Sequence, residues 1–229
     1  MRKRTIVALI IAASLVVLGG VIFTGAMSRV KWDFTKLSMN QTETNEYILS
    51  ESYQNISIQT DTADVVIRPS ETDETKVVCK EQERLKHSVT VEDGTLVIRL
   101  TDTREWTDYI LNFAFTKVTV YVPETQLKDI TVKNSTGNIT LQNMVVEGQI
   151  SVKNSTGNVK FKDCDAASVL VKNSTGNITG NLLTEKQFVT KVSTGDVSVP
   201  DCKSGGRCEI ITSTGNVKFT VGYKTPKLA

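Results

Sequence analysis

Asn134-Ser135-Thr136-Gly137-Asn138-Ile139-Thr140-Leu141 returns as Asn154-Ser155-Thr156-Gly157-Asn158-Val159-Lys160-Phe161 and again as Asn173-Ser174-Thr175-Gly176-Asn177-Ile178-Thr179-Gly180. Looser copies surround Gly195 and Gly215, and the five glycines stand 20, 19, 19 and 20 residues apart. A fixed period of about 20 residues marks a repeat architecture in which each unit packs on its neighbours. Aligned on the glycine, the columns alternate apolar and polar. Ile130, Ile150, Val169, Phe188 and Cys208 lie seven residues before it, and Val132, Val152, Val171, Thr190 and Ile210 five before. Ile139, Val159, Ile178, Val197 and Val217 lie two after. Period two means strands with one buried face and excludes helices.

Each repeat therefore predicts a strand, a Ser-Thr-Gly-Asx corner and a second strand. Stacking such coils in register predicts an all-β, single-stack parallel β-solenoid of about 19–20 residues per coil, with like residues about 4.8 Å apart. Glycine suits the sharp bend, and Ser, Thr, Asn and Asp bond nearby backbone there. The corners also predict a surface ladder of Ser135, Ser155, Ser174, Ser193 and Ser213 beside Asn138, Asn158, Asn177, Asp196 and Asn216. Turn chemistry accounts for these residue types; a ligand-binding ridge is the sharper reading. Asn134, Asn154 and Asn173 fall on the inner face by parity, which suggests an amide stack bonded from coil to coil.

Earlier segments fit the template less closely. Ile56, Ile58, Ala63, Val65 and Ile67 read as a first coil with Ala63 at the glycine position. Val89, Val91, Gly94, Leu96 and Ile98 read as another, and Val118, Val120 and Val122 as an alternating strand before Pro123.

The N-terminus carries Arg2, Lys3 and Arg4, then no charge from Thr5 to Ala26. About 20 apolar residues match a hydrocarbon core of roughly 30 Å. Length favours an uncleaved transmembrane anchor over a cleaved signal peptide, and the basic tip is expected to stay cytoplasmic. The predicted organisation is a basic tip at 1–4, an anchor at 5–26, a juxtamembrane stalk at 27–47 and an extracytoplasmic β domain at 48–229. Without 1–26 the chain has 24 basic and 25 acidic residues, a net charge of −1. That balance argues against a nucleic-acid partner.

Chemistry-bearing residues are sparse. His87 is the single histidine, and the carboxylates Asp163, Asp165, Asp196 and Asp201 occupy different columns. No catalytic residue, cofactor or metal ligand is assigned, and the chain reads as a non-enzyme. Cys164, Cys202 and Cys208 fall in inward slots, where a small apolar side chain suffices. Cys202 and Cys208 flank Lys203–Arg207, so a disulfide closing that loop stands even against two reduced core thiols. Trp106, Tyr109, Phe113 and Phe115 are read as covering an end or side of the stack.

The ordered set of Ser-Thr-Gly-Asx coils, the earlier Thr60-Asp61-Thr62-Ala63-Asp64-Val65-Val66-Ile67 and Val118-Thr119-Val120-Tyr121-Val122-Pro123 resembles the bacterial putative-adhesin family, a domain of unknown function. Lys86–Gly94 and Gly205–Ile210 extend the resemblance, which runs from about residue 48 to 221. It implies a membrane-tethered β-solenoid of Gram-positive bacteria, sometimes tied to envelope stress, without catalytic residues. The leading functional expectation is an adhesin-like or envelope-associated module that binds a cell-envelope glycan or a membrane protein. End-to-end self-association is the alternative, and a carbohydrate-active enzyme ranks last.

Overall fold

The computed structural model describes residues 3–29, 31–32, 42–104, 116–123, 127–199, 203–204 and 206–219. Residues 1–41 with 104–114 form one unit, and 42–103 with 115–229 the other. In the first unit, helix α1 (Lys3–Arg29) has 27 residues, about 40 Å at 1.5 Å each. Its span Thr5–Arg29 has a mean hydropathy of 2.9 and contains the apolar run predicted as the anchor. Side chains such as Ile10, Val16 and Val21 are exposed all round it, as expected of a helix that lacks a polar face. Its length and composition suit a single span or a signal anchor.

The second unit is all β. Its N-terminal half contains β1 (Thr42–Leu49), β2 (Asn55–Gln59), β3 (Ala63–Pro69), β4 (Thr75–Gln82), β5 (Leu85–Glu92), β6 (Thr95–Asp102) and β7 (Thr116–Val122). The repeats supply β8 (Asp129–Thr136), β9 (Ile139–Gln142), β10 (Val145–Thr156), β11 (Val159–Thr175) and β12 (Ile178–Thr194). The last coils add β13 (Val197–Val199), β14 (Lys203–Ser204), β15 (Arg207–Thr214) and β16 (Val217–Phe219). Residues 42–47, expected in the stalk, lie in β1, which pairs antiparallel with β4.

The single parallel stack predicted from the repeats is corrected. The sheet runs β10-β8-β2-β6-β5-β4-β7-β3-β9-β11, and β11 pairs back onto β10. Ten strands thus close a mixed barrel, to which the remaining strands are added. Parallel pairing dominates the repeats, but β4, β5 and β6 join antiparallel, and β4 pairs antiparallel with β7. For β5 and β6 the cause lies in Asp93-Gly94, with φ of 48° and 69°, which links the two strands as a two-residue hairpin. Asp-Gly with both residues at positive φ is the turn whose twist matches antiparallel strands. The segment read as a loose coil around Gly94 is therefore a hairpin.

Within the repeats the glycine-aligned columns coincide with the observed register. Ile130 pairs with Ile150, Ile150 with Val169 and Val169 with Phe188. All four are fully buried. A one-residue adjustment follows the corner of the shorter coil: Cys164 pairs with Leu182, not Leu183. Cys164 is buried, Cys208 is exposed on the last described coil, and Cys202 lies outside the described residues. The aromatics at 105–115 also lie outside them.

Thr190 occupies the column of Val132, Val152 and Val171, fully buried, and its hydroxyl has no partner. Thr190→Val is expected to raise stability by about 1–2 kcal/mol, because an unbonded hydroxyl is removed without loss of volume. A denaturation midpoint at or below wild type would mean that the hydroxyl is bonded.

Candidate functional site

At each corner the chain turns through a glycine at positive φ, +126° at Gly176. The glycine amide then reaches the neighbouring coil: Gly137 N donates to Thr156 O, Gly157 N to Thr175 O and Gly176 N to Thr194 O, all at 2.9 Å. Corners thereby stack in register, and whatever they display is repeated along the stack.

The Asx column is consumed by this stacking. Asn138 N donates to Asp64 Oδ1 at 2.7 Å, Asn158 N to Asn138 Oδ1 at 3.0 Å and Asn177 N to Asn158 Oδ1 at 2.9 Å. Asp196 N donates to Asn177 Oδ1 at 2.8 Å, and Asn216 N to Asp196 Oδ1 at 2.7 Å. Each side-chain oxygen serves the backbone one coil on, and Asp64 starts the chain. Here turn chemistry explains the residues.

The hydroxyls differ. Ser135, Ser155, Ser174, Ser193 and Ser213 are all exposed, as are Thr136, Thr156, Thr175, Thr194 and Thr214. Among the described residues none of these hydroxyls has a hydrogen-bond partner within the protein. Two adjacent columns of free donor–acceptors therefore run along one edge of the stack. Sequence reasoning grouped Ser with Asx as one ridge and left the threonines out. The repeat shows all three residue types, but only coordinates separate a committed oxygen from a free one.

On the inner side, Asn134, Asn154 and Asn173 are buried, as parity predicts. They do not bond one another. Asn134 Nδ2 donates to Ala63 O at 2.9 Å, Asn154 Nδ2 to Gly137 O at 3.1 Å and Asn173 Nδ2 to Gly157 O at 2.9 Å. Each amide thus bonds the carbonyl at the preceding corner, reinforcing the stack from inside.

A second constellation was not anticipated. Cys79, Glu81 and His87 are buried, with potential ligand atoms within 4.8 Å of one another. Glu81 Oε2 accepts from the His87 backbone N at 2.7 Å and lies 2.8 Å from His87 Nδ1, while Glu81 Oε1 accepts from Asn45 Nδ2 at 2.8 Å. His87 Nε2 lies 2.9 Å from Thr60 Oγ1. Both Glu81 oxygens and both ring nitrogens are therefore engaged. Burial pushes the Cys79 thiol up to about 12, so it stays protonated at neutral pH. The set fits a polar lock joining β1, β4 and β5 to the corner after β2 better than a metal centre, which needs free lone pairs on the carboxylate and the imidazole. Nothing in the sequence links residues 45, 60, 81 and 87, because long-range strand pairing brings them together.

Burial pushes Glu81 up, but hydrogen bonds from His87 and Asn45 outweigh it and hold the carboxyl below its ordinary value of 4.5. A depressed carboxyl contributes stability above its unfolded pKa and loses it as pH falls through the folded value. Stability is therefore expected to fall in acid below about pH 4.5, more steeply in wild type than in Glu81→Gln, by up to about 1.4 kcal/mol per pH unit. Parallel acid profiles for the two proteins would remove Glu81 from this role.

The profile of the Toastrack DUF4097 family matches residues 53–224. No curated protein gives a significant match. Among solved structures, the chain is similar to a putative cell adhesion protein from Clostridium sporogenes ATCC 15579 at 12% identity and a TM-score of 0.47, covering 78% of this chain and 100% of that one. A putative adhesin from Parabacteroides distasonis ATCC 8503 matches at 14% identity and a TM-score of 0.46, covering 82% and 94%. A putative lipid binding protein from the same organism matches at 15% identity and a TM-score of 0.39, covering 81% and 97%.

Proposed function

This chain belongs to the Toastrack DUF4097 family, and from that membership we propose that it is a non-enzymatic, adhesin-like binding module of the cell envelope. Helix α1 would tether it to the membrane, with Arg2, Lys3 and Arg4 on the cytoplasmic side and the β domain outside. The observation that carries the reading is the double column of free Ser and Thr hydroxyls, repeated coil by coil on a rigid scaffold. Identical donors at a fixed spacing favour an extended, repetitive partner over a compact ligand, because each coil adds one equivalent contact.

The test is capture of envelope fractions by the full chain in detergent micelles. A variant with Ser135, Ser155, Ser174 and Ser193 changed to Ala is measured beside it. Capture that drops at least about tenfold in a variant with an unchanged melting midpoint supports the ridge, a loss of about 1.4 kcal/mol spread over four contacts. Equal capture by both proteins, or capture by neither, overturns it.

A second reading, end-to-end assembly, draws on Ile211 and Val217, which are 43% and 48% exposed on the last described coil. An open sheet edge invites pairing with another copy. Sedimentation that shifts with concentration would favour this. Cys208 carries a free thiol here, and a disulfide to Cys202 across Lys203–Arg207 is the reading we keep, beside two reduced thiols, for an oxidising compartment. A peptide map that gains a linked pair without reductant decides it.

A further inference from the structure

Two residues before four of the five corner serines stands a lysine; Ile211 takes that place before Ser213. Strand register pairs Lys153 with Lys133 and with Lys172, and Lys172 with Lys191. At about 4.8 Å per strand the four form one line about 14 Å long across β8, β10, β11 and β12. All four are exposed, and among the described residues none has an ion-pair partner. Elsewhere in the β unit Lys76 is neutralised by Glu46 at 2.8 Å and Lys86 by Glu43 at 2.7 Å, while Lys80 and Lys117 stand unneutralised as a single opposed pair, so the row of four is set apart by its length. Like charges set directly opposite in a sheet repel, so an unneutralised row of four costs the fold and needs another reason.

The flanking columns supply further constraints. On one side of the lysines stand Thr131, Ser151, Leu170 and Val189, and on the other the unpartnered corner serines. Neither flank carries a carboxylate or an aromatic ring on these four strands. The positive line is one residue wide and continues no further into the flanks. A membrane surface is best met by a broad basic face, and single-stranded nucleic acid by aromatic stacking platforms; both are missing here.

We propose that this lysine line binds a linear polyanion carrying phosphate or phosphodiester groups at short intervals, laid along the stack and across the strands. The lysine ammoniums meet the anionic oxygens, and the Ser135, Ser155, Ser174 and Ser193 hydroxyls donate to oxygens beside them. The inference rests on the binding-module reading and names its ligand class. It also explains why a lysine line whose flanking columns on these four strands carry no carboxylate lies beside the free serine hydroxyls.

The probe is inorganic polyphosphate, titrated by fluorescence anisotropy into the full chain in neutral detergent micelles at several salt concentrations. Wild type is expected to bind with a log–log salt slope of roughly −3, and Lys153→Ala/Lys172→Ala with a slope shallower by about 1.5. Lys153→Glu/Lys172→Glu is expected to lose at least about tenfold in affinity without a lower melting midpoint, since it turns the two outer like-charge pairs of the row into opposite-charge pairs and leaves only the central pair like-charged. Lys160→Glu/Lys218→Glu, on another exposed column, is the control and should bind as wild type. The proposal is overturned if the Lys153/Lys172 variants bind like wild type or if the control pair loses as much. It is equally overturned if wild type binds phosphatidylglycerol vesicles but not polyphosphate. Failure to bind polyphosphate alongside serine-dependent capture of an uncharged envelope fraction sinks this ligand class and leaves the binding module standing; failure of both sinks both.

Discussion

Gly176→Val is expected to destabilise the β domain by roughly 3–5 kcal/mol, the sum of backbone strain and overpacking. At φ +126° no L-residue is at ease, and a Cβ there would lie 2.1 Å from Gly157 O, a backbone atom that cannot move aside. The same carbonyl accepts from Asn173 Nδ2, so displacing it also breaks the inner support of the corner. Gly94→Ala separates the two causes. Gly94 has φ of +69° but nothing within 4 Å of a built Cβ, so strain acts alone and about 1 kcal/mol is expected. Denaturant unfolding of both variants provides the check. A Gly176→Val protein within 1 kcal/mol of wild type would refute the stacked corner.

Val171→Asp is expected to cost a similar roughly 3–5 kcal/mol at neutral pH. Val171 is 1% exposed, in register with Val152 and Thr190 on either side. No cation lies in these columns to pair with a carboxylate. The buried carboxyl would have a raised pKa, so the penalty is present at neutral pH and shrinks as acid protonates it. A pH-independent loss would point to packing in place of charge. The strands nearest the buried charge, β10, β11 and β12, are expected to lose hydrogen-exchange protection before the β4–β6 region.

Both expectations descend from columns that are visible in the chain. The period of 19–20 residues, the buried columns through Ile130 and Val132, the inward amides and the glycine corners are local facts, repeated, and repetition makes them readable. Likewise the apolar run from Thr5 to Ala26 announces a helix by composition alone. The resemblance to an adhesin-like domain of unknown function rests on the same ordered motifs.

Closure of the barrel was not readable in that way. Asp93-Gly94 is a hairpin signal, but its flanking residues Val89, Val91, Leu96 and Ile98 alternate just as a coil does. Period two marks a strand and its buried face, and is silent on the direction of its neighbour. Antiparallel β4–β5–β6 and the return of β11 onto β10 are decided by which strands find partners in space. The candidate site divides similarly. Repetition predicted a polar ridge, but the split between Asx oxygens spent on the next coil and serine hydroxyls left free depends on hydrogen-bond geometry, which residue type does not encode. The Asn45–Thr60–Glu81–His87 lock, assembled from four separate segments, exists through tertiary pairing alone. Periodic chemistry within one chain specifies faces; strand direction and partner choice arise when those faces compete for burial and backbone hydrogen bonds.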